Sequence, residues 1–481
     1  MKPFKLSKLA LVASSMLTAV SHAATQPNVI VMLADDLGYG EIQRLNPERG
    51  KIPTPHYDEL SKSGMTFTDA HSASSVCTPT RYAMLTGRYA WRTSLQKGVI
   101  QGGESPISKD ILTIPKMMDQ LGYDTALIGK WHLGMFFDGK FDNSPNVQVG
   151  AKVTEGPIDK GGFDHYFGYH HSRQMNILID DDTVTERIEP IEMLPRITEA
   201  AVDYIESRKS DEDPFFLYLP WNSPHSPVVP DEKWQGKSGL NAHADFVMQT
   251  DDSVGQVIDA LKRTGQLNNT IIISSSDNGT SAPTADAEYL RSKGHYPSAD
   301  FRGYKADLWE GGSRVPFFVS WPGVVKPDTY NDDLIVMNDI FATLADINDY
   351  SLPNNAAVDS YSFYPLLTKK GDTKRKNAIH HSWSGHFAIR QGKWKLLLAS
   401  GSSGWTEPVE VKGREVQLYN MEMDKGEQAD LSKQYPEVVE ELLSILKSQV
   451  ANGRSTEGTK MEAYSPVDIF KTSNYEKNKY L

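Results

Sequence analysis

An internal disulfide is excluded at the outset, because the 481 residues contain a single cysteine, Cys77. Beyond the N-terminal segment there is no run of about 20 apolar residues, so no later stretch reads as a membrane-spanning helix. Positive charge is also in short supply. Against 62 Asp and Glu stand 50 Lys and Arg, a formal net charge of −12, and such a chain lacks the clustered cations whose counterion exchange drives nucleic-acid binding. The same field repels any anion, so an anionic substrate has to be drawn in by cations focused inside a pocket. Internal repeats and long low-complexity tracts are missing too, which removes solenoids and disordered arrays from consideration.

What remains is the composition of a globular protein, 39% apolar and 23% charged, with a length that suits a large α/β domain and a smaller companion rather than one small core. Lys2, Lys5 and Lys8, an apolar stretch from Leu9 to Val20, and Ser21-His22-Ala23 form the pattern of a signal peptide, expected over residues 1–24. The mature chain is then expected outside the inner membrane, in the periplasm or beyond. There a lone thiol is an anomaly, since exported chains use cysteine mainly in disulfides. Its neighbours, Ser74-Ser75-Val76-Cys77-Thr78-Pro79-Thr80-Arg81, are too polar for an inert buried cysteine, which favours chemistry.

Four apolar runs of strand length end in polar or ionisable residues, as the carboxyl edge of a parallel sheet does. Asn28 to Leu33 leads to Asp35 and Asp36, and Tyr123 to Ile128 leads to Gly129-Lys130-Trp131-His132. Pro214 to Leu219 leads through Trp221 to Ser223-Pro224-His225, and Thr270 to Ser274 leads to Asp277-Asn278-Gly279. Helical patterns over Ile114–Leu121 and Phe246–Leu261 fall between these runs, so the expectation is a doubly wound α/β sheet flanked by helices, with the four segments meeting at its carboxyl edge. Residues 25–370 are expected to form this domain. Residues 371–481 read as a smaller α+β unit, with strands at Ala388–Arg390, Trp394–Leu398 and Val416–Tyr419 and a helix over Pro436–Leu446. The polar segment from Asn452 onward is expected to be loosely held.

Asp35, Asp36, Asp277 and Asn278 offer oxygen ligands only, which suits a hard cation, Ca²⁺ before Mg²⁺, more than zinc. Singly, each could equally cap a helix or make a turn. Their shared place at strand ends favours a metal site. Cys77, Pro79 and Arg81 form a Cys-x-Pro-x-Arg pattern that chance would place around a given cysteine roughly once in 400. A helix opening there would point its N-terminal N–H groups at an anion beside residue 77.

Cys77-Thr78-Pro79-Thr80-Arg81 with Leu85-Thr86-Gly87-Arg88, and Gly129-Lys130-Trp131-His132-Leu133-Gly134, resemble the two signature motifs of the type I sulfatases. Asp35-Asp36-Leu37-Gly38, Gly161-Gly162-Phe163-Asp164, Ser276-Asp277-Asn278-Gly279, Trp309-Glu310-Gly311-Gly312 and Leu418-Tyr419-Asn420 with Glu427 and Leu431 extend the resemblance from about Pro27 to Leu431. It leans towards the branch of arylsulfatase A and the galactose or N-acetylgalactosamine 6-sulfatases. The resemblance implies an alkaline-phosphatase-like mixed sheet and a Cys77 converted by a separate maturation enzyme to formylglycine. One hydroxyl of that residue's hydrate would attack sulfur, and the second would allow sulfate to be expelled. It further implies that Asp35, Asp36, Asp277, Asn278 and the converted Cys77 hold Ca²⁺. Arg81 and Lys130 would stabilise the hydrate and the charge on the transferring group, and Lys305 would hold sulfate oxygens. His132 would act as base on the second hydroxyl and His225 as acid to the leaving oxygen. The expected substrate is a sulfated carbohydrate, a galactose- or N-acetylgalactosamine-type sugar of a polysaccharide or glycosaminoglycan. The competing readings are a phosphonate or phosphate ester hydrolase of the same superfamily and a sulfated-glycan binding protein without turnover. Trp91-Arg92, His170, His171, His295 and Trp405 stand open between lining a substrate site and packing.

Overall fold

All eight residues of strand β1, Asn28–Asp35, are buried, because the run NVIVMLAD has an apolar side chain for each face of a sheet covered on both sides. Alternation sends Val29, Val31 and Leu33 into one core and Ile30, Met32 and Ala34 into the other. The computed structural model describes residues 26–471 except 143, 145, 212, 408–415, 463 and 464, so the expected signal peptide lies outside the described residues. β2 (Asp124–Lys130), β3 (Phe215–Pro224) and β4 (Thr270–Ser276) are parallel to β1 in the spatial order β4–β1–β3–β2. His165–Tyr169 adds a further parallel strand beside β2. Five more strands complete a ten-stranded mixed sheet: Phe317–Ser320, Met65–Phe67 and the parallel edge strand Thr329–Asn331 extend it beyond β4, and the antiparallel Ile177–Asp180 and Thr183–Arg187 beyond His165–Tyr169.

Helix α1, Cys77–Thr86, packs Tyr82, Met84 and Leu85 into the core on the Val31 side. Helices α2, Met193–Ser207, and α3, Ala242–Thr264, cover the Ile30 side through Ile197, Ala201, Val254 and Val257. Each fully buried Val, Leu or Ile contributes about 1.5–3 kcal/mol, so these two layers hold the sheet rigid under its carboxyl edge. β3 runs five residues past the expected Leu219, since Pro220 to Pro224 stay buried and Pro224 pairs with Asp35 across a register shift in β1. His225 therefore emerges directly from the sheet edge. Among the described residues no helix is long and apolar enough to cross a membrane.

A second sheet, antiparallel and in chain order, joins β5 (Asn377–His381), β6 (Phe387–Gln391), β7 (Trp394–Leu397) and β8 (Gln417–Asn420). Helix α4, Pro436–Asn452, packs Leu442 and Leu446 on it. Buried ion pairs tie this sheet to the larger one. Lys395 Nζ lies 3.0 Å from Glu310 Oε1 and 2.8 Å from Glu427 Oε1, while Glu310 Oε2 takes Arg314 at 2.6 Å and His71 at 3.0 Å. Removing one partner would strand a buried charge, which makes the contact all-or-none. The segment past Asn452 is not loosely held through its first residues. Ser455 donates its N–H and Oγ to Asp359 Oδ1 at 3.0 and 2.6 Å, adding to the Arg92 guanidinium and the Tyr89 N–H that already serve this buried carboxylate.

Candidate functional site

Cys77 is the first residue of α1, so the free N–H groups of that helix end surround it, and it is 2% exposed. Arg81 follows one turn later on the same face, and the helix repeat aims it across the sheet edge. Its Nε and Nη2 donate to Asp277 Oδ2 at 3.0 and 2.8 Å, and Nη1 donates to the Lys130 carbonyl at 3.2 Å. One guanidinium thus braces the ends of β4 and β2 against the helix that presents Cys77.

The carboxyl ends of the four strands meet as their sequences suggest. Lys130 Nζ donates to Asp35 Oδ2 at 2.6 Å. Lys305 Nζ donates to both oxygens of Asp36 at 2.5 and 2.7 Å, and Asn278 Nδ2 donates to Asp36 Oδ1 at 2.8 Å. The Asp36 N–H donates to Asp277 Oδ1 at 3.2 Å, Cys77 Sγ lies 3.9 Å from Asp36 Oδ1, and His225 Nε2 lies 3.8 Å from Asp36 Oδ2. Asp36 holds φ at +69° and His132 at +58°, a left-handed backbone that costs a non-glycine residue of order 1–3 kcal/mol and recurs where function demands it.

Burial would raise the Asp35 carboxyl, but Lys130, then His225, Arg81 and Lys305 outweigh it and hold it well below the usual carboxylate range. Asp277 is pushed up to about 6 by burial and then by Asp35, with Arg81 pulling the other way. Burial, then Asp277, drives the Cys77 thiol far up. An unmodified Cys77 is accordingly a thiol rather than a thiolate, and a poor nucleophile. His132 is held well below the ordinary range by burial, then Lys130 and Arg81, so its ring is neutral. It stands beside the cluster, not in it. Its backbone N–H donates to the His170 carbonyl at 2.9 Å, and its Nδ1 is buried without a hydrogen-bond partner.

Two oxygens of the cluster lack the partners that a bound cation would supply. Asp35 Oδ1 and Asn278 Oδ1 are buried and accept no hydrogen bond, with only the Arg81 guanidinium 3.6 Å from the former. A buried polar atom left unsatisfied costs about 1–3 kcal/mol. A hard cation would take both, and ligand atoms of Asp35, Asp36, Cys77 and His225 all lie within 4.8 Å of one another. The donor set fits Ca²⁺. A second group, Asp69, His71 and Glu310, is equally compact, but Arg314, Arg390 and Lys395 already neutralise it, leaving no role for a metal.

Of the residues left open by the sequence, Trp91 stacks on Tyr89 and meets Phe387 edge to face, Arg92 pairs with Asp359, and His295 accepts from the Lys51 N–H. These are packing residues. His170 and His171 sit against His132, with ring centroids 6.4 and 6.2 Å from it, at the end of the strand His165–Tyr169. The strand pattern missed that edge because HYFGY carries no apolar run.

A sulfatase family pattern matches residues 27–350, and a pattern described as N-sulphoglucosamine sulphohydrolase, C-terminal, matches residues 304–452. An N-acetylgalactosamine-6-O-sulfatase of Bacteroides thetaiotaomicron is 32% identical over 480 residues, spanning 88% of this chain and 93% of the relative. Human arylsulfatase A is 27% identical, spanning 90% of each chain. A solved structure from work on metabolism of multiple glycosaminoglycans by Bacteroides thetaiotaomicron superposes with a TM-score of 0.79 at 29% identity, over 88% of this chain and 99% of that one.

Proposed function

The chain belongs to the sulfatase family and is a sulfuric ester hydrolase of alkaline-phosphatase-like fold, and from that premise we propose that it removes a 6-sulfate from an N-acetylgalactosamine or galactose unit of a sulfated glycan. The observation that carries this reading is the cluster at Cys77: three cations, Arg81, Lys130 and Lys305, focused at one helix N-terminus in a chain of net charge −12. The 6-O-sulfatase name of the 32%-identical relative supports the position of the ester.

Residue 77, once converted to formylglycine by a maturation enzyme, supplies a hydrate with two hydroxyls on one carbon. Asp35, Asp36, Asp277, Asn278 and residue 77 would hold a calcium ion, which when bound would supply positive charge to the sulfate oxygens. The remaining work falls to the chain's own side chains. Lys305 leaves part of its charge on Asp36 and directs the rest at a sulfate oxygen, and Lys130 does the same from Asp35. Arg81 fixes Asp277 in place. His132, neutral and with a free ring nitrogen, takes a proton from a hydroxyl at residue 77. His225 Nε2 gives a proton to the departing sugar oxygen. Export to the periplasm through the segment 1–24 belongs to the same proposal.

Sulfate release from 6-sulfated N-acetylgalactosamine and galactose, beside an aryl sulfate, an aryl phosphate and an aryl phosphonate, tests the reading. Release is expected from the 6-sulfated sugars. Faster phosphoryl cleavage would move the protein to the phosphate and phosphonate hydrolases, and binding without any turnover by material converted at residue 77 would leave only a lectin. Divalent-cation removal gives an independent check. Chelation leaves Asp35 Oδ1 and Asn278 Oδ1 buried without partners and Asp35, Asp36 and Asp277 close together, so the melting temperature is expected to fall by several degrees in EDTA and to return with CaCl₂, seen by calorimetry. An unchanged melt would argue against the metal.

A further inference from the structure

Trp405 is the one exposed tryptophan of the nine, 44% open to solvent, and it stands over a functional lysine. Lys305 Nζ lies 5.9 Å from its ring centroid, and Trp383 packs against it with centroids 5.5 Å apart. A ring left this open has to be held for a purpose or tolerated at a cost, and its backbone is held. Asp307 accepts from the N–H groups of Trp405 and Thr406 at 3.0 and 3.2 Å, from Thr406 Oγ1 at 2.5 Å and from the Tyr304 N–H at 2.9 Å. Gly404 permits that approach, since a Cβ there would come within 2.3 Å of Asp307 Oδ1 and 2.5 Å of the Ala306 carbonyl. The neighbouring Ala306 N–H donates to the Ser75 carbonyl at 2.8 Å, two residues before Cys77. The loop of Trp405 is thus registered on the loop of Lys305, and that in turn on the nucleophile.

Trp405 and Lys305 wall a cavity of about 600 Å³, within the roughly 300–1,000 Å³ range of small-ligand sites. Tyr304, Thr406, Asp286, Glu288 and Arg291 complete its polar lining, and of the residues gathered at Cys77 only Lys305 reaches it. The reacting sulfate therefore does not sit there. An apolar ring lining the same cavity as two carboxylates and a guanidinium suits a pyranose, which shows a C–H face on one side and hydroxyls around its rim. We propose that this cavity is a subsite for a second pyranose, the sugar joined to the one that carries the sulfate. The assignment rests on the sulfated-glycan reading and deepens it: the substrate is an oligosaccharide or polymer rather than a free monosaccharide sulfate.

The test compares kcat/KM for sulfate release from free 6-sulfated N-acetylgalactosamine and from a trisaccharide ending in that unit. The wild-type protein is expected to favour the trisaccharide by about tenfold. Trp405→Ala should bring the two within about twofold through a higher KM on the trisaccharide, and Trp405→Phe should keep most of the preference. An absent preference in the wild type, or a preference unchanged by Trp405→Ala, overturns the subsite. Equal losses on both substrates overturn it too, and reduce Trp405 to a brace for the Lys305 loop. Failure of the underlying reading looks different: a wild-type protein that releases sulfate from neither sugar, which removes the subsite with it.

Discussion

Cys77→Ser is expected to lower sulfate release by on the order of 10⁴-fold or more, the size of loss seen when a catalytic nucleophile is removed, while the melting temperature and calcium binding stay close to wild type. The side chain is buried at the start of α1 and makes one long contact, Sγ to Asp36 Oδ1 at 3.9 Å, so a hydroxyl of similar size fits without opening a cavity. The chemistry is not so tolerant. A serine offers one hydroxyl where the converted residue offers two, and only the second hydroxyl gives a route by which His132 can drive sulfate off again. The thiol itself is no substitute, since burial and then Asp277 hold it protonated. Ion chromatography of released sulfate, calorimetric melting and calcium titration on the same preparation separate the two effects. Turnover near the wild-type rate in this variant would refute the formylglycine mechanism, and an unfolded variant would contradict the tolerance argued from the packing.

The strands that hold the site were readable because burial on both faces writes them as unbroken apolar runs, and the residue that ends each run is the one the sheet edge exposes. Asp35, Lys130, His225 and Asp277 all follow from that single pattern. Arg81 was legible through the Cys-x-Pro-x-Arg motif, which the helix sets one turn behind Cys77. The pattern is silent where a strand is short or one-sided. The strand His165–Tyr169 and the antiparallel edges carry no such run, and the grouping of His170 and His171 with His132 was hidden with them. β5 (Asn377–His381) was missed for the same reason, its apolar residues being too few to stand out. Long-range polar contacts leave no local trace at all. Asp307 grips Trp405 and Thr406 across nearly a hundred residues, and Asp359 grips Ser455 across a similar span, so neither the platform over Lys305 nor the anchored tail could be read from spacing.

His225→Ala is expected to split the two kinds of ester. Loss of a general acid costs about 10²–10⁴-fold where the leaving oxygen needs the proton, so release from a 6-sulfated sugar should fall by that factor. Release from an aryl sulfate with an acidic phenol should fall far less, because that oxygen leaves as a stable anion. The geometry favours this role for His225 over one in holding the metal cluster together. Its Nδ1 lies 2.5 Å from the Ser226 carbonyl and, as the donor to it, leaves Nε2 as the nitrogen turned toward Asp36, 3.8 Å away and beyond hydrogen-bond range. The side chain is 15% exposed while the carboxylates beneath it are closed off, so it borders the opening through which a leaving alcohol must pass. Burial lowers its basicity, Asp35 and then Asp36 restore part of it, and Lys305 and Lys130 lower it again, so with Nδ1–H on Ser226 the ring has to take up a second proton on Nε2 before it can act as the acid. The measurement is kcat/KM for both esters in wild type and variant. Equal losses would make His225 a positioning residue for Asp36, and no loss on the sugar would assign the proton donor elsewhere.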